Sequence, residues 1–146
     1  MAASSVVSRS RSRPVVRLER SVLTALALLG DLALIAAQLT LGLVFHGQDP
    51  LAVPVYAAET VAPFLIGWLL VAPLLGLYAS RTYESVTRSV LAVCVAWTVA
   101  ALIGAAIRAS PYVVGNAPPT FVAVTVGTGL AFLLPWRAAL AAVVSR

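Results

Sequence analysis

Lysine is absent from this chain of 146 residues, there are only five acids, and histidine and cysteine occur once each. Charged residues make up 10% of the sequence, where soluble domains carry roughly 25%. A soluble domain this small must cover its surface with polar groups, and five acids with ten arginines cannot supply them. The shortage of charge therefore excludes an ordinary soluble globule and, with so many apolar residues present, a disordered chain. A single cysteine, Cys94, excludes an intramolecular disulfide scaffold. It lies in an apolar run and reads as a small packing residue. No serine nucleophile with a general base, no phosphate-binding glycine loop and no Cys/His cluster is visible. Enzymatic chemistry has no catalytic pair to rest on, and no cofactor is implied.

What the sequence has in abundance is apolar surface. Hydrophobic residues make up 61% of it, and the mean hydropathy is +0.99. A helix crosses the hydrocarbon core of a bilayer with about 20 residues. Four segments reach that length, at about 21–45, 59–78, 86–107 and 120–144. The expected fold is all-α, an integral membrane four-helix bundle over residues 21–146 behind a basic, disordered tail over residues 1–20. The stretch from Ser21 to Phe45 is too long for the apolar region of a signal peptide, about 7–15 residues, and carries Asp31 at its middle. It reads as a retained span.

Breakers punctuate the connections. His46-Gly47-Gln48-Asp49-Pro50 ends the first span, and Pro54 keeps the rest of that loop from continuing as a helix. Ala79 to Glu84 is a short polar turn, and Ser110-Pro111, Gly115-Asn116 and Pro118-Pro119 break the third connection. Thr120 is the expected N-cap of the last span. Pro63 falls in the first turn of the second span, where a missing N–H is tolerated, whereas Pro73 is interior and should kink it. Pro135 should bend the last span in the same way.

Arginine placement gives an orientation. With the N-terminus inside, the inner face holds Arg9, Arg11, Arg13, Arg17, Arg20, Arg81, Arg88, Arg137 and Arg146, and the outer face holds Arg108 alone. Such a bias places both termini in the cytoplasm. The tail resembles an arginine–serine tract, but with a long apolar segment directly after it the expected partner is anionic lipid at the cytoplasmic leaflet, not nucleic acid.

Lipid tails are as apolar as leucine, so close approach at small residues does much of the work of holding spans together. Ala92, Ala96, Ala100 and Gly104 form one ridge in the third span, and Ala123, Gly127 and Ala131 one in the fourth. These seams are expected to pack the two spans together, with a homo-oligomer seam as the rival reading.

Few polar groups remain inside the spans. Asp31 sits near the bilayer centre, where an ionised carboxylate costs at least about 2.5–3.5 kcal/mol. It should face the bundle, be protonated or be paired. Thr24 and Gln38, seven residues before and after it, share its helix face. The stripe reads either as a proton or cation relay or as an interhelical hydrogen-bond anchor to Thr98, Thr125, Thr128 or the indole of Trp68 or Trp97. Arg108 continues the ridge of Gly104 by one step and is expected to pair with Asp49 or Glu59 in an outer-boundary lock, with substrate binding as the alternative reading. Arg137 is expected to snorkel to lipid phosphate. His46, with Asp49 and Glu59, matches no specific metal-site spacing, so a turn role is preferred and no metal is assigned.

The ordered set Gly30-Asp31, His46-Gly47, Ala62-Pro63-Phe64 with Gly67-Trp68, then Trp97, Arg108, Thr120-Phe121-Val122 and Trp136-Arg137 resembles a family of small four-span prokaryotic membrane proteins of unknown function (domain of unknown function 3054). The likeness runs from Leu18 to Ala138. It implies four spans in a prokaryotic cytoplasmic membrane and no established activity. Three function classes stay open: a structural or accessory membrane component, acting as a homo-oligomer or beside a membrane partner; a small proton, cation or solute transporter built on the stripe around Asp31; and, last in order, a membrane enzyme, for which no catalytic pair is visible.

Overall fold

Proline and glycine set the ends of the helices. In the computed structural model, which describes residues 14–145 and side chains from residue 22, five helices follow one another with no strand among the described residues. They are α1 (Pro14–Phe45), α2 (Pro54–Leu74), the single turn α3 (Ser80–Tyr83), α4 (Val86–Arg108) and α5 (Pro119–Val144). Four of them are long and apolar enough to cross a membrane. The expected disorder and lipid contacts of the tail fall on residues 1–13 and on side chains outside the described residues, as does Arg146. The helix nevertheless begins at Pro14 rather than Ser21, because proline suits the first helical position, where no N–H is needed.

The same rule corrects three further expectations. Pro54 opens α2 at its first turn instead of holding the loop open, so Pro63 becomes interior and buried. Pro73 falls in the last turn of α2 and precedes its end rather than kinking its middle. Pro118, not Thr120, is the N-cap of α5, with Pro119 following it.

Two helices end on a left-handed glycine. In α1, Gly47 (φ 76°) donates its N–H to the Val44 carbonyl at 2.9 Å, and Gln48 donates to Leu43 at 3.0 Å. In α2, Gly76 (φ 68°) donates to Pro73 and Leu77 to Ala72, both at 3.0 Å. This paired closure satisfies two terminal carbonyls and needs a residue free of the Cβ penalty at positive φ. His46 is thus the last residue before a glycine stop.

The long helices close a ring in the order α1, α2, α4, α5, with the most extensive packing between α2 and α4 and the least around α1. The core is built from Phe64 and Trp68 of α2, Val93 and Trp97 of α4, Ile35 of α1 and Leu133 of α5. Leucines and valines such as Leu29, Leu69, Leu102 and Val124 stand exposed around the outside, the arrangement of a bundle whose surroundings are apolar.

The small-residue seams resolve differently from expectation. Ala96, Ala100 and Gly104 are buried, with Ala92 half-buried, but the ridge faces α2. A Cβ on Gly67 would collide with the Ala100 carbonyl oxygen, and one on Gly104 would lie 2.6 Å from Phe64. Ala123, Gly127 and Ala131 are exposed, and a Cβ on Gly127 would meet nothing. α5 instead buries Thr125, Gly129, Leu133, Arg137 and Ala141, a four-residue stripe displaced by two positions. Gly129 is chosen because Trp97, whose indole donates to the Val126 carbonyl at 3.1 Å, occupies the space a Cβ would need. One bulky tryptophan therefore decides which face of α5 turns inward.

Gly67→Ala should consequently lower stability by about 1–3 kcal/mol through overpacking, while Gly127→Ala should leave it unchanged or slightly raised. Thermal unfolding of both variants in detergent micelles checks this.

Candidate functional site

The glycine turn after α2 does more than end a helix. By closing on Ala72 and Pro73 it carries Leu77 into the core and brings Tyr78 back against α1. From α5, the four-residue stripe places Arg137 at the same level. Asp31 comes from the middle of α1. Both Asp31 and Arg137 are fully buried.

The guanidinium grips the carboxylate in a two-pronged contact. Arg137 Nε donates to Asp31 Oδ1 at 2.9 Å, and Nη2 donates to Oδ2. The remaining nitrogen, Nη1, donates to the Leu77 carbonyl at 3.2 Å. Tyr78 donates its hydroxyl to Asp31 Oδ2 at 2.8 Å, and the Trp68 indole donates to the Tyr78 oxygen at 3.0 Å. The guanidinium carbon lies 5.1 Å from the centre of the Tyr78 ring and 5.7 Å from that of Tyr83, so two aromatic faces share its charge. Burial pushes both tyrosine hydroxyls above their ordinary value, and at Tyr78 the neighbouring Asp31 pushes the same way. Tyr78 therefore remains a neutral donor at neutral pH. Trp136 lies against Gly30, where a side chain would strike its ring.

Two expectations are corrected here. Arg137 does not snorkel; its place on the buried stripe of α5 turns it inward, where the Asp31 carboxylate answers its charge. Asp31 bonds none of the expected threonines, and it meets Trp68 only through Tyr78. Thr98 instead donates to the Cys94 carbonyl at 2.8 Å, one turn back in its own helix. The pairing of residue 31 with residue 137 leaves no local spacing to read. The usable signal was the four-residue pattern from Thr125 to Ala141, which has Arg137 on it.

Thr24 and Gln38 share the face of Asp31 but reach different spaces. Thr24 lines a cavity of about 360 Å³ with Tyr78, Tyr83 and Glu84. Gln38 lines one of about 540 Å³ near the other end of the bundle. There the Thr128 hydroxyl lies 2.7 Å from Gln38 Oε1 and 2.8 Å from the Val124 carbonyl, and Gln38 Nε2 has no partner.

Arg108 stands at the back of that larger cavity and is 5% exposed. It does not pair with Asp49 or Glu59, and the described residues hold no ion pair besides Asp31–Arg137. Asp49 turns its carboxylate to its own loop, accepting from the Leu51 N–H at 2.9 Å. The guanidinium of Arg108 donates instead to neutral oxygens, namely the Asn116 carbonyl at 3.2 Å, the Thr60 hydroxyl at 3.0 Å and the Tyr56 hydroxyl at 3.3 Å. The Phe121 ring centre lies 5.3 Å away. Gly115 leaves room for it, since a Cβ there would lie 2.8 Å from the guanidinium carbon. His46 sits exposed at the rim of this cavity.

Residues 28–140 match the family model described as Protein of unknown function (DUF3054). The chain belongs to that family. The matched segment of DUF3054 begins just before Asp31 and ends just after Arg137, so it encloses both polar sites. No curated protein and no solved structure matches the chain.

Breaking a buried ion pair from one side leaves a bare charge, at a cost of about 3–5 kcal/mol. Asp31→Asn and Arg137→Gln should each destabilise the bundle on that scale, and the double variant should lose clearly less than the sum of the two. Additive losses in a double-mutant cycle, read from detergent unfolding curves, would contradict the pairing.

Proposed function

We propose that this protein is a multi-pass component of a prokaryotic cytoplasmic membrane with both termini in the cytoplasm, and that it serves as a structural or accessory element rather than as an enzyme. The four long apolar helices and the family membership support the membrane setting. The orientation rests on charge. With Arg137 consumed in the core, eight arginines (five in the tail, then Arg81, Arg88 and Arg146) stand against Arg108 at the opposite end. The tail arginines suit contact with anionic lipid.

The observation that carries the structural reading is the closure of the Asp31 site. Both carboxylate oxygens accept from Arg137, a third donor comes from Tyr78, and neither charged side chain is exposed. A proton relay needs a group that exchanges with water and with a next acceptor. Here the acid is spent on tying α1 to α5 and to the turn after α2. A shell that neutralises a charge and joins three elements is what a load of membrane packing demands.

One arrangement favours a second reading, a small transporter. Thr24 and Gln38 line cavities on either side of Asp31 along one helix face, the order of polar groups that a relay through Asp31 would use.

Reconstitution separates the two. The structural reading expects no proton or cation flux in proteoliposomes from the native protein, with Asp31→Asn lowering thermal stability. Saturable flux that vanishes in a still-folded Asp31→Asn variant would establish the transporter. Reporters fused at Met1 and Arg146 should both lie on the cytoplasmic side.

A further inference from the structure

The larger cavity holds a positive charge, that of Arg108, which no carboxylate among the described residues pairs with. It is lined by α1 from Gln38 to Phe45 with His46 just beyond it, by Tyr56 and Thr60 of α2, by Arg108 of α4, and by α5 from Phe121 to Phe132. Its volume, about 540 Å³, falls in the range of small-molecule sites, roughly 300–1,000 Å³. It borders α1, which packs least closely of the long helices. Three of the five guanidinium N–H groups of Arg108 are taken by neutral oxygens. That leaves one hydrogen on each terminal nitrogen for a charged acceptor such as an oxyanion.

A second group points to an occupant independently. Gln38 is 6% exposed, lines the same cavity, and has an amide nitrogen with no partner. Turning the amide over would let Thr128 satisfy that nitrogen but would orphan the oxygen instead. In either orientation one buried polar atom of Gln38 is left for something other than the protein. Such an atom loses its hydration without compensation unless something meets it.

Thr125 and Thr128 add hydroxyls to the α5 wall, and the remainder is largely apolar, with Leu39, Leu43, Phe121 and Phe132 inside. The rim includes Leu41, Phe45 and Val124, which are 45%, 87% and 63% exposed on the apolar outside of α1 and α5. A ligand that enters there passes through hydrocarbon-facing side chains before it meets the cation.

We propose that this cavity binds a single-chain anionic amphiphile, taken sideways from the membrane between α1 and α5. Its phosphate or carboxylate head lies against Arg108, a polar atom of the head region meets Gln38, and its chain lies along the leucines and phenylalanines. This goes beyond the structural reading above and does not depend on it, since the ion pair at Asp31 plays no part in it.

The test uses the full-length protein in an uncharged maltoside detergent, titrated by calorimetry with dodecyl phosphate, dodecanoate, dodecanol and inorganic phosphate. One saturable site for dodecyl phosphate or dodecanoate is expected, with dodecanol and inorganic phosphate each at least tenfold weaker. Arg108→Gln should weaken the charged amphiphiles at least tenfold. Should that variant fail to fold, Val124→Trp takes its place, because it fills the rim from an exposed position and should weaken them similarly while Arg108 stays intact. Equal binding of dodecanol would overturn the role of the charge, and equal binding of inorganic phosphate would mean a water-borne anion rather than an amphiphile. Unchanged affinity in Val124→Trp would overturn entry between α1 and α5.

Discussion

A carboxylate and a guanidinium enclosed in an apolar bundle cannot be parted without leaving a naked charge, and the rest of this molecule is arranged around that constraint. Asp31 draws α1 to α5 through Arg137 and to the turn after α2 through Tyr78. Since apolar burial supplies little net attraction between helices in lipid, polar contacts and close backbone approach have to supply it. The pair supplies it for α1, the helix that packs least against its neighbours. The glycine seams supply it elsewhere, with Gly67 on α4 and Gly129 on Trp97.

The two buried arginines illustrate two ways of holding a cation. Arg137 has a carboxylate, a carbonyl and two aromatic faces, so its charge is matched inside the protein. Arg108 has a carbonyl, two hydroxyls and an aromatic ring. Those partners satisfy donors without cancelling charge, and the side chain faces a cavity rather than packed helices. One arginine is a tie between helices. The other has the chemistry of a receptor for an anion.

Local chemistry propagates to both sites. Gly76 closes α2 and thereby sets the Leu77 carbonyl and the Tyr78 hydroxyl at the ion pair. Gly115 clears space over Arg108 in the connection between α4 and α5. In each case a residue outside the long helices determines what a charged side chain inside them can touch.

Composition and hydropathy were enough to read four long apolar helices, because 20-residue runs with almost no charge have few other outcomes, and the glycine after His46 announced its own stop. The special place of Asp31 was legible too, since a lone acid in such a run has to be answered by something. Which residue answers it was not, because helices of nearly featureless apolar composition carry little rotational information. Turning α5 by two residues exchanges Ala123, Gly127 and Ala131 for Thr125, Gly129 and Leu133 with hardly any change in pattern, and it takes Arg137 from the lipid side to the core. Only the meeting of the four helices decides that rotation, through the bulk of Trp97 against Gly129 and the demand of a buried carboxylate for its counter-charge. The same meeting, and nothing in the order of residues, leaves the gap beside Arg108.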